Sequence, residues 1–351
     1  VGGLYLHIPF CNSKCAYCDF YSGPLRIFNA ESYVEALARE LDARRTEIDV
    51  ISTVYVGGGT PSVMPPELLA PFLALASGEC TVEVNPEDIT PDYAERLIRA
   101  GANRISMGVQ SLNDSELNAI GRRHTAARAI EAYNVLRNVG FTNISLDLIY
   151  GLPGQSADSW RRSLGEVLSL TPEHLSAYML SYEPGTLLYS RLQRGQIQET
   201  EEDTILEMYE DLCLHTRAAG FEHYEISNFA LKGFRAVHNS AYWCMSPYLG
   251  LGPGAHSFDG RLRRFNDSNL KAYMLNPEGF AQIEEETPIQ RHNDAIMTAL
   301  RTCEGLDPSI LTDSELSYAR RVLLRTSSGR LRISESDWLR SNTLLLPLIR
   351  S

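Results

Sequence analysis

From Leu4 to about Leu180, short apolar runs alternate with stretches of helix length whose apolar residues recur every three or four positions. That alternation predicts βα units built around a parallel sheet. The strand-like runs are 4–8 (LYLHI), 53–57 (TVYVG), 81–85 (TVEVN), 104–109 (RISMGV), 144–149 (ISLDLI) and 174–180 (HLSAYML). Helical stretches at 31–47, 91–100, 114–119, 125–139 and 156–169 lie between them, and Thr90 with Pro91 offers a cap followed by proline at the first helical position. Residues 201–219 read as a further helix, followed by FEHYEISNFA and a Gly/Pro-rich stretch to residue 260. From Arg291 the chain is helical at first (NDAIMTALRTCEGL) and then short and mixed.

In parallel β/α barrels the functional groups gather at the C-terminal ends of the strands. GGGTP, the Glu-Val-Asn of TVEVN, MGVQS and DLIYGLPG all fall at such ends. Composition narrows the partners. A net charge of −12 over 351 residues argues against a general nucleic-acid role, and RLRRF at 261–265 is one basic patch on an acidic chain. No run of eighteen apolar residues supports a membrane span, and VGGLYLHIPFC lacks the basic–apolar–small order of a secretion signal. Seven cysteines is an odd and sparse count that fits a disulfide framework badly, so a reducing cytoplasm is expected.

Three of those cysteines carry most of the chemistry. Cys11, Cys15 and Cys18 stand within CNSKCAYCDF, close enough for one loop to hold three irons of a [4Fe–4S] cluster and leave the fourth without a protein ligand. S-adenosylmethionine (SAM) can chelate such an iron through its amine and carboxylate, after which electron transfer to the sulfonium can break a carbon–sulfur bond. The competing reading is structural zinc, which closes with four ligands. The fourth would have to be His7 or a distant residue, because the chain has no second CxxC. The Gly57–Thr60 turn before Pro61 would bring bare backbone close to a ligand, although alone it is only a Gly-rich turn. Glu83 at a strand end is a carboxylate whose burial without a partner would be costly.

LYLHIPFCNSKCAYCDF, GGGTPS, EVNPEDI, RISMGVQS, SLDLIYGLPGQ, YEISNFA, HNSAYW and GLGPGAHSF follow one another in order. In these blocks the chain resembles the radical-SAM superfamily, in the branch holding oxygen-independent coproporphyrinogen dehydrogenases and haem chaperones. The resemblance thins out after about Arg320. It implies an α/β fold, a partial (β/α)6 barrel with a small C-terminal winged-helix-like domain. The expected divisions are a barrel over 1–230, a connecting segment over 231–290 and the small domain over 291–351. It also implies SAM contacts at Gly58, Gly59, Thr60, Glu83, Gln110, Arg122 and Asp147, with Tyr5 and Tyr17 flanking cluster and nucleobase. A carboxylate suits ribose hydroxyls, and an arginine suits the SAM carboxylate by bidentate pairing.

Two departures separate the branches. The dehydrogenases continue CxxxCxxCxC where this chain has Phe20, and they carry an extension before the loop where this chain shows only ten residues. HNSAYW (238–243) matches the HNxxYW motif of the haem chaperones. His238 could supply an axial nitrogen to haem iron while Tyr242 and Trp243 offer flat surface to a porphyrin; the plainer reading is a hydrogen-bonded histidine beside a packed aromatic pair. His256 in GPGAHSF is a weaker candidate. The expected function is therefore haem binding and transfer to an acceptor haemoprotein, with a [4Fe–4S] cluster, SAM and an electron donor. Oxidative decarboxylation of coproporphyrinogen III is the alternative, and a zinc-stabilised binding module is remote.

Overall fold

The computed structural model of the chain describes residues 1–24 and 29–350. Six parallel strands form its centre: β1 (Gly2–Ile8), β2 (Ile51–Gly58), β3 (Cys80–Val84), β4 (Arg104–Gln110), β5 (Ile144–Tyr150) and β6 (His174–Met179). Each agrees with a strand read from the sequence to within two residues, because the apolar runs are short and bounded by turns or caps. Thr90 accepts from the amide of Tyr93 and Pro91 opens the helix that ends at Ala100, where Gly101 takes φ 104°. A helix over Pro66–Leu73, with Pro71 inside it, was not legible in the sequence.

Strand periodicity divides these residues between two faces. One face carries Leu4, Leu6, Val54, Val56, Val82, Ile105, Met107, Leu146 and Leu175, all fully buried beneath the helices. Burying each such side chain contributes roughly 1.5–3 kcal/mol. The opposite face is polar. Thr53, Thr81, Arg104, Ser145 and His174 are buried on it, and Tyr55, Glu83, Ser106, Asp147 and Ser176 each follow two residues further along the same strands. Exposure rises along β6 from 1% at His174 to 4% at Ser176 and 43% at Tyr178, so the concave polar face opens at the C-terminal ends of the strands.

The sheet continues past the six. β7 (Glu222–Glu225) and β8 (Asn228–Ala230) form a hairpin whose second strand pairs antiparallel with β6. Residues 231–290, which the sequence marks as a connection, begin with a helix over Val237–Trp243 packed against β1 and β2. They then add β9 (Tyr248–Leu251), parallel to β1, and antiparallel β10 (His256–Phe258), β11 (Leu262–Asn266) and β12 (Ala281–Glu285). Among the described residues the sheet has twelve strands in the order β12-β11-β10-β9-β1-β2-β3-β4-β5-β6-β8-β7. The C-terminal residues form helices over Pro288–Ala299 and Asp313–Val322 and a ladder of two residues per strand. That ladder does not establish a winged helix. Glu335 ties the segment to the barrel through His223 (2.9 Å), and its carbonyl accepts from Tyr209 (2.6 Å).

Candidate functional site

The cysteine loop is pinned on both sides by backbone. Phe10–Cys11 pairs with Gly23–Pro24, the Ala16 amide donates to Ile120 (2.9 Å), and the Ala16 carbonyl accepts from Leu188 (2.8 Å). Cys11, Cys15 and Cys18 are free and half-buried, and all three line one cavity of about 450 Å³. Donors already face the sulfurs: Thr60 Oγ1 lies 3.3 Å from Cys11 Sγ and Arg122 Nη1 lies 3.5 Å from Cys15 Sγ. Burial pushes the Cys18 thiol up to about 11, with Cys15 and Cys11 adding to the rise, so a Cys18 thiolate is favoured by a bound cation. Three converging thiols with donors behind them fit a cluster bound through three irons.

His7 does not supply the fourth ligand that zinc needs. His7 Nδ1 is hydrogen-bonded to Tyr5 Oη (3.0 Å) and its Nε2 to the Tyr21 carbonyl (3.0 Å), so neither nitrogen is directed at the thiols. Among the described residues no histidine lines this cavity.

Opposite the cysteines lie the strand ends. Gly58 has φ 111°, and a Cβ there would sit 2.6 Å from the His7 ring. At Gly59 a Cβ would meet the Phe10 carbonyl at 2.7 Å, because the Gly59 and Thr60 amides clasp Ile8 and Phe10 (2.8 and 2.7 Å). Glu83 accepts from Tyr55 Oη (2.7 Å) and the Gly58 amide (3.2 Å), yet burial pushes its carboxyl up to about 7. Asp147 is held by Ser106 (2.9 Å) and Ser145 (3.0 Å), and burial likewise raises it. Gln110 ends β4 in the left-handed region at φ 67°, just past a register shift. Such backbone in a non-glycine residue at a cavity wall is characteristic of functional sites. Arg122 donates to Asn85 Oδ1 and the Gly108 carbonyl (both 2.7 Å), leaving its buried Nε without a partner.

The cysteines, Tyr17, Gly58, Gly59, Thr60, Glu83, Gln110, Arg122 and Asp147 thus all line the smaller cavity. Tyr5 does not. It bonds His7, stacks on Tyr55 (centroids 6.2 Å apart) and faces a second cavity of about 910 Å³. The two cavities share Asp19, Phe20, Tyr55, Glu83, Tyr178 and Asn239. Tyr242 and Trp243 line the larger one, as expected of a surface for a flat ligand.

His238 is the correction. It is 1% exposed at the base of the barrel and lines neither cavity. Its Nδ1 bonds Thr53 Oγ1 (2.8 Å), its Nε2 bonds Tyr242 Oη (2.7 Å), and its ring lies against Tyr55. Burial, with Arg104 nearby, lowers its pKa to about 3. With both nitrogens taken, this histidine holds Tyr242 in place, and an axial bond to iron would require breaking that arrangement. His256, by contrast, is exposed on the wall of the larger cavity.

Sequence reasoning passed over Tyr55, Asn85, Arg104, Ser106, Tyr178 and Glu225, which also line the cavities. For four of them the signal was present: strand residues two apart share a face, and Tyr55, Asn85, Arg104 and Ser106 are polar alternates of TVYVG, TVEVN and RISMGV.

A family model described as the radical SAM superfamily matches residues 5–167. The heme chaperone HemW of Bacillus subtilis (strain 168) is 34% identical over 369 residues, spanning 96% of each chain. HemW of Escherichia coli (strain K12) is 35% identical over 294 residues, covering 80% of this chain and 75% of its own. Among solved structures, the coproporphyrinogen III oxidase HemN from Escherichia coli, described as a radical SAM enzyme, superposes with a TM-score of 0.81 over 99% of this chain and 89% of that one. At 23% identity that likeness shows the fold.

Proposed function

The chain belongs to the heme chaperone HemW family of radical SAM proteins, and from that premise we propose that it binds haem beside a SAM-loaded cluster and passes the haem to an acceptor haemoprotein. The observation that carries this reading is the pair of confluent cavities with a shared wall at Tyr55, Glu83 and Tyr178. Cys11, Cys15 and Cys18 would hold a [4Fe–4S] cluster. Bound together, cluster and SAM supply reductive cleavage of a carbon–sulfur bond, driven by one electron from a partner protein. Glu83 and the Gly58–Thr60 backbone would take the amino-acid end of SAM, Arg122 its carboxylate, and Asp147 and Gln110 the nucleoside. Tyr55 and the Ser106–Asp147 pair orient those carboxyls, and the fully buried outer faces of the strands keep the frame rigid.

The larger cavity has room for a tetrapyrrole between Tyr242, Trp243 and Tyr248, with His256 as the exposed imidazole at its wall. Its contact with the SAM cavity also suits the second reading, oxidative decarboxylation of coproporphyrinogen III. One experiment separates them. Anaerobically reconstituted protein is titrated with haemin and, in parallel, incubated with SAM, dithionite and coproporphyrinogen III. A saturable Soret band without protoporphyrinogen IX is expected; protoporphyrinogen formation would overturn the chaperone reading. A cytoplasmic setting is part of the proposal; among the described residues no helix is long and apolar enough to cross a membrane.

A further inference from the structure

Glu225 ends β7 where the barrel meets the C-terminal helices, and it lines the larger cavity. It is 1% exposed and its Oε1 has no hydrogen-bond partner. Asn228 is its register partner on β8, lines the same cavity, and leaves its own buried Oδ1 unpaired. The Asn228 amide and the Ser227 backbone hydrogen-bond the Glu225 carboxyl, yet its Oε1 and the Asn228 Oδ1 remain unpaired acceptors, which is costly in a buried wall. A proton on Glu225 changes the arithmetic, because the carboxyl then becomes a donor in the cavity wall.

Haem narrows what that can be. Its four nitrogens are bound to iron, so its hydrogen-bonding groups are the two propionates. Among the described residues the one guanidinium lining the cavity, Arg263, is already committed to Glu286 and to Asp294 (2.6 Å), and no lysine lines it. Among the described residues, then, a propionate at the Glu225 wall meets a carboxyl and an amide rather than a free cation. We propose that Glu225, with Asn228 beside it, is the seat for a carboxylate arm of the tetrapyrrole, the two carboxyl groups sharing one proton. This rests on the haem reading above.

Burial pushes Glu225 up to about 7, which supplies the proton near neutral pH. The groups around it are Tyr178 and His174 from β6, Tyr224 on its own strand, and Arg301 beside the isolated bridge to Thr302. Burial raises both tyrosines, holds His174 neutral and leaves Arg301 charged, so between pH 6 and 8 Glu225 is the one of these that titrates. Glu83 also titrates near neutrality but stands beyond Tyr178, and His7 and His256 face the cavity. The test must remove their contributions.

Haemin and haemin dimethyl ester, which has no free carboxylate, are titrated by Soret absorbance into wild type and Glu225→Gln from pH 6 to pH 8. If Glu225 must be protonated, wild-type affinity for haemin should fall about tenfold over that range relative to the ester. Glu225→Gln, whose amide donates at any pH, should bind haemin with the ester's pH dependence. The same dependence for both ligands in wild type, or an unchanged haemin profile in Glu225→Gln, would overturn the assignment. Failure of wild type to bind either ligand would instead refute the haem reading, and this inference with it. The ligand comparison is made within wild type, so it stands even if the variant folds poorly.

Discussion

His238→Ala distinguishes a buried strut from an iron ligand. In the structure the imidazole joins Thr53 to Tyr242 and packs on Tyr55. Truncation removes two hydrogen bonds worth about 1 kcal/mol each and leaves the buried Thr53 hydroxyl and the half-buried Tyr242 hydroxyl short of a partner. A cavity of ring size adds to that, so the expected destabilisation is about 3–5 kcal/mol. The same residue makes stability depend on pH. Its folded pKa of about 3 lies below the unfolded value near 6.5, so the unfolded chain binds the extra proton between those limits and stability falls on acidification. At pH 5 that linkage costs the wild type about 2 kcal/mol relative to pH 8. The variant has no such group, and the gap between the two proteins should narrow by that amount at pH 5. Urea unfolding of the cluster-free proteins at the two pH values measures both effects, and haemin titration supplies the control. The Soret maximum of the variant should match that of wild type wherever it remains folded. A variant within 1 kcal/mol of wild type with a displaced Soret band would refute the strut and restore His238 as the axial ligand.

Two other outcomes follow from the smaller cavity. Cys15→Ala should lose the cluster while the chain stays folded, because the loop is pinned by backbone bonds at Ala16; iron and sulfide analysis after anaerobic reconstitution checks this, and normal cluster content would sink the three-thiolate assignment. If the ionised Glu83 carboxylate receives the SAM amine, SAM affinity should drop about tenfold as pH falls from 8 to 6 through its pKa of about 7, and Glu83→Gln should be weak and nearly flat with pH; an unchanged slope in the variant would place the titrating group elsewhere.

The residues whose chemistry is local were legible in the chain. Cys11, Cys15 and Cys18 sit on one short loop, so their spacing alone brings the thiols together. The βα pattern was equally readable, because each strand announces itself within a few residues by apolar alternates closed off by turn residues. It also put Gly58, Glu83 and Gln110 at or next to strand ends, where a parallel barrel gathers its working groups. Tertiary structure decided the rest, for two physical reasons. A histidine's role depends on whether its nitrogens are already bonded, and the partners of His238 are Thr53, 185 residues away, and Tyr242, one helical turn on. The sequence shows HNSAYW but not which way each member points. The larger cavity, likewise, is enclosed by β1, the β7–β8 hairpin and the β9–β11 extension, which converge only when twelve strands share one sheet. Glu225 reads as an ordinary polar residue in YEISNFA until that packing takes away its water and leaves an oxygen unpaired.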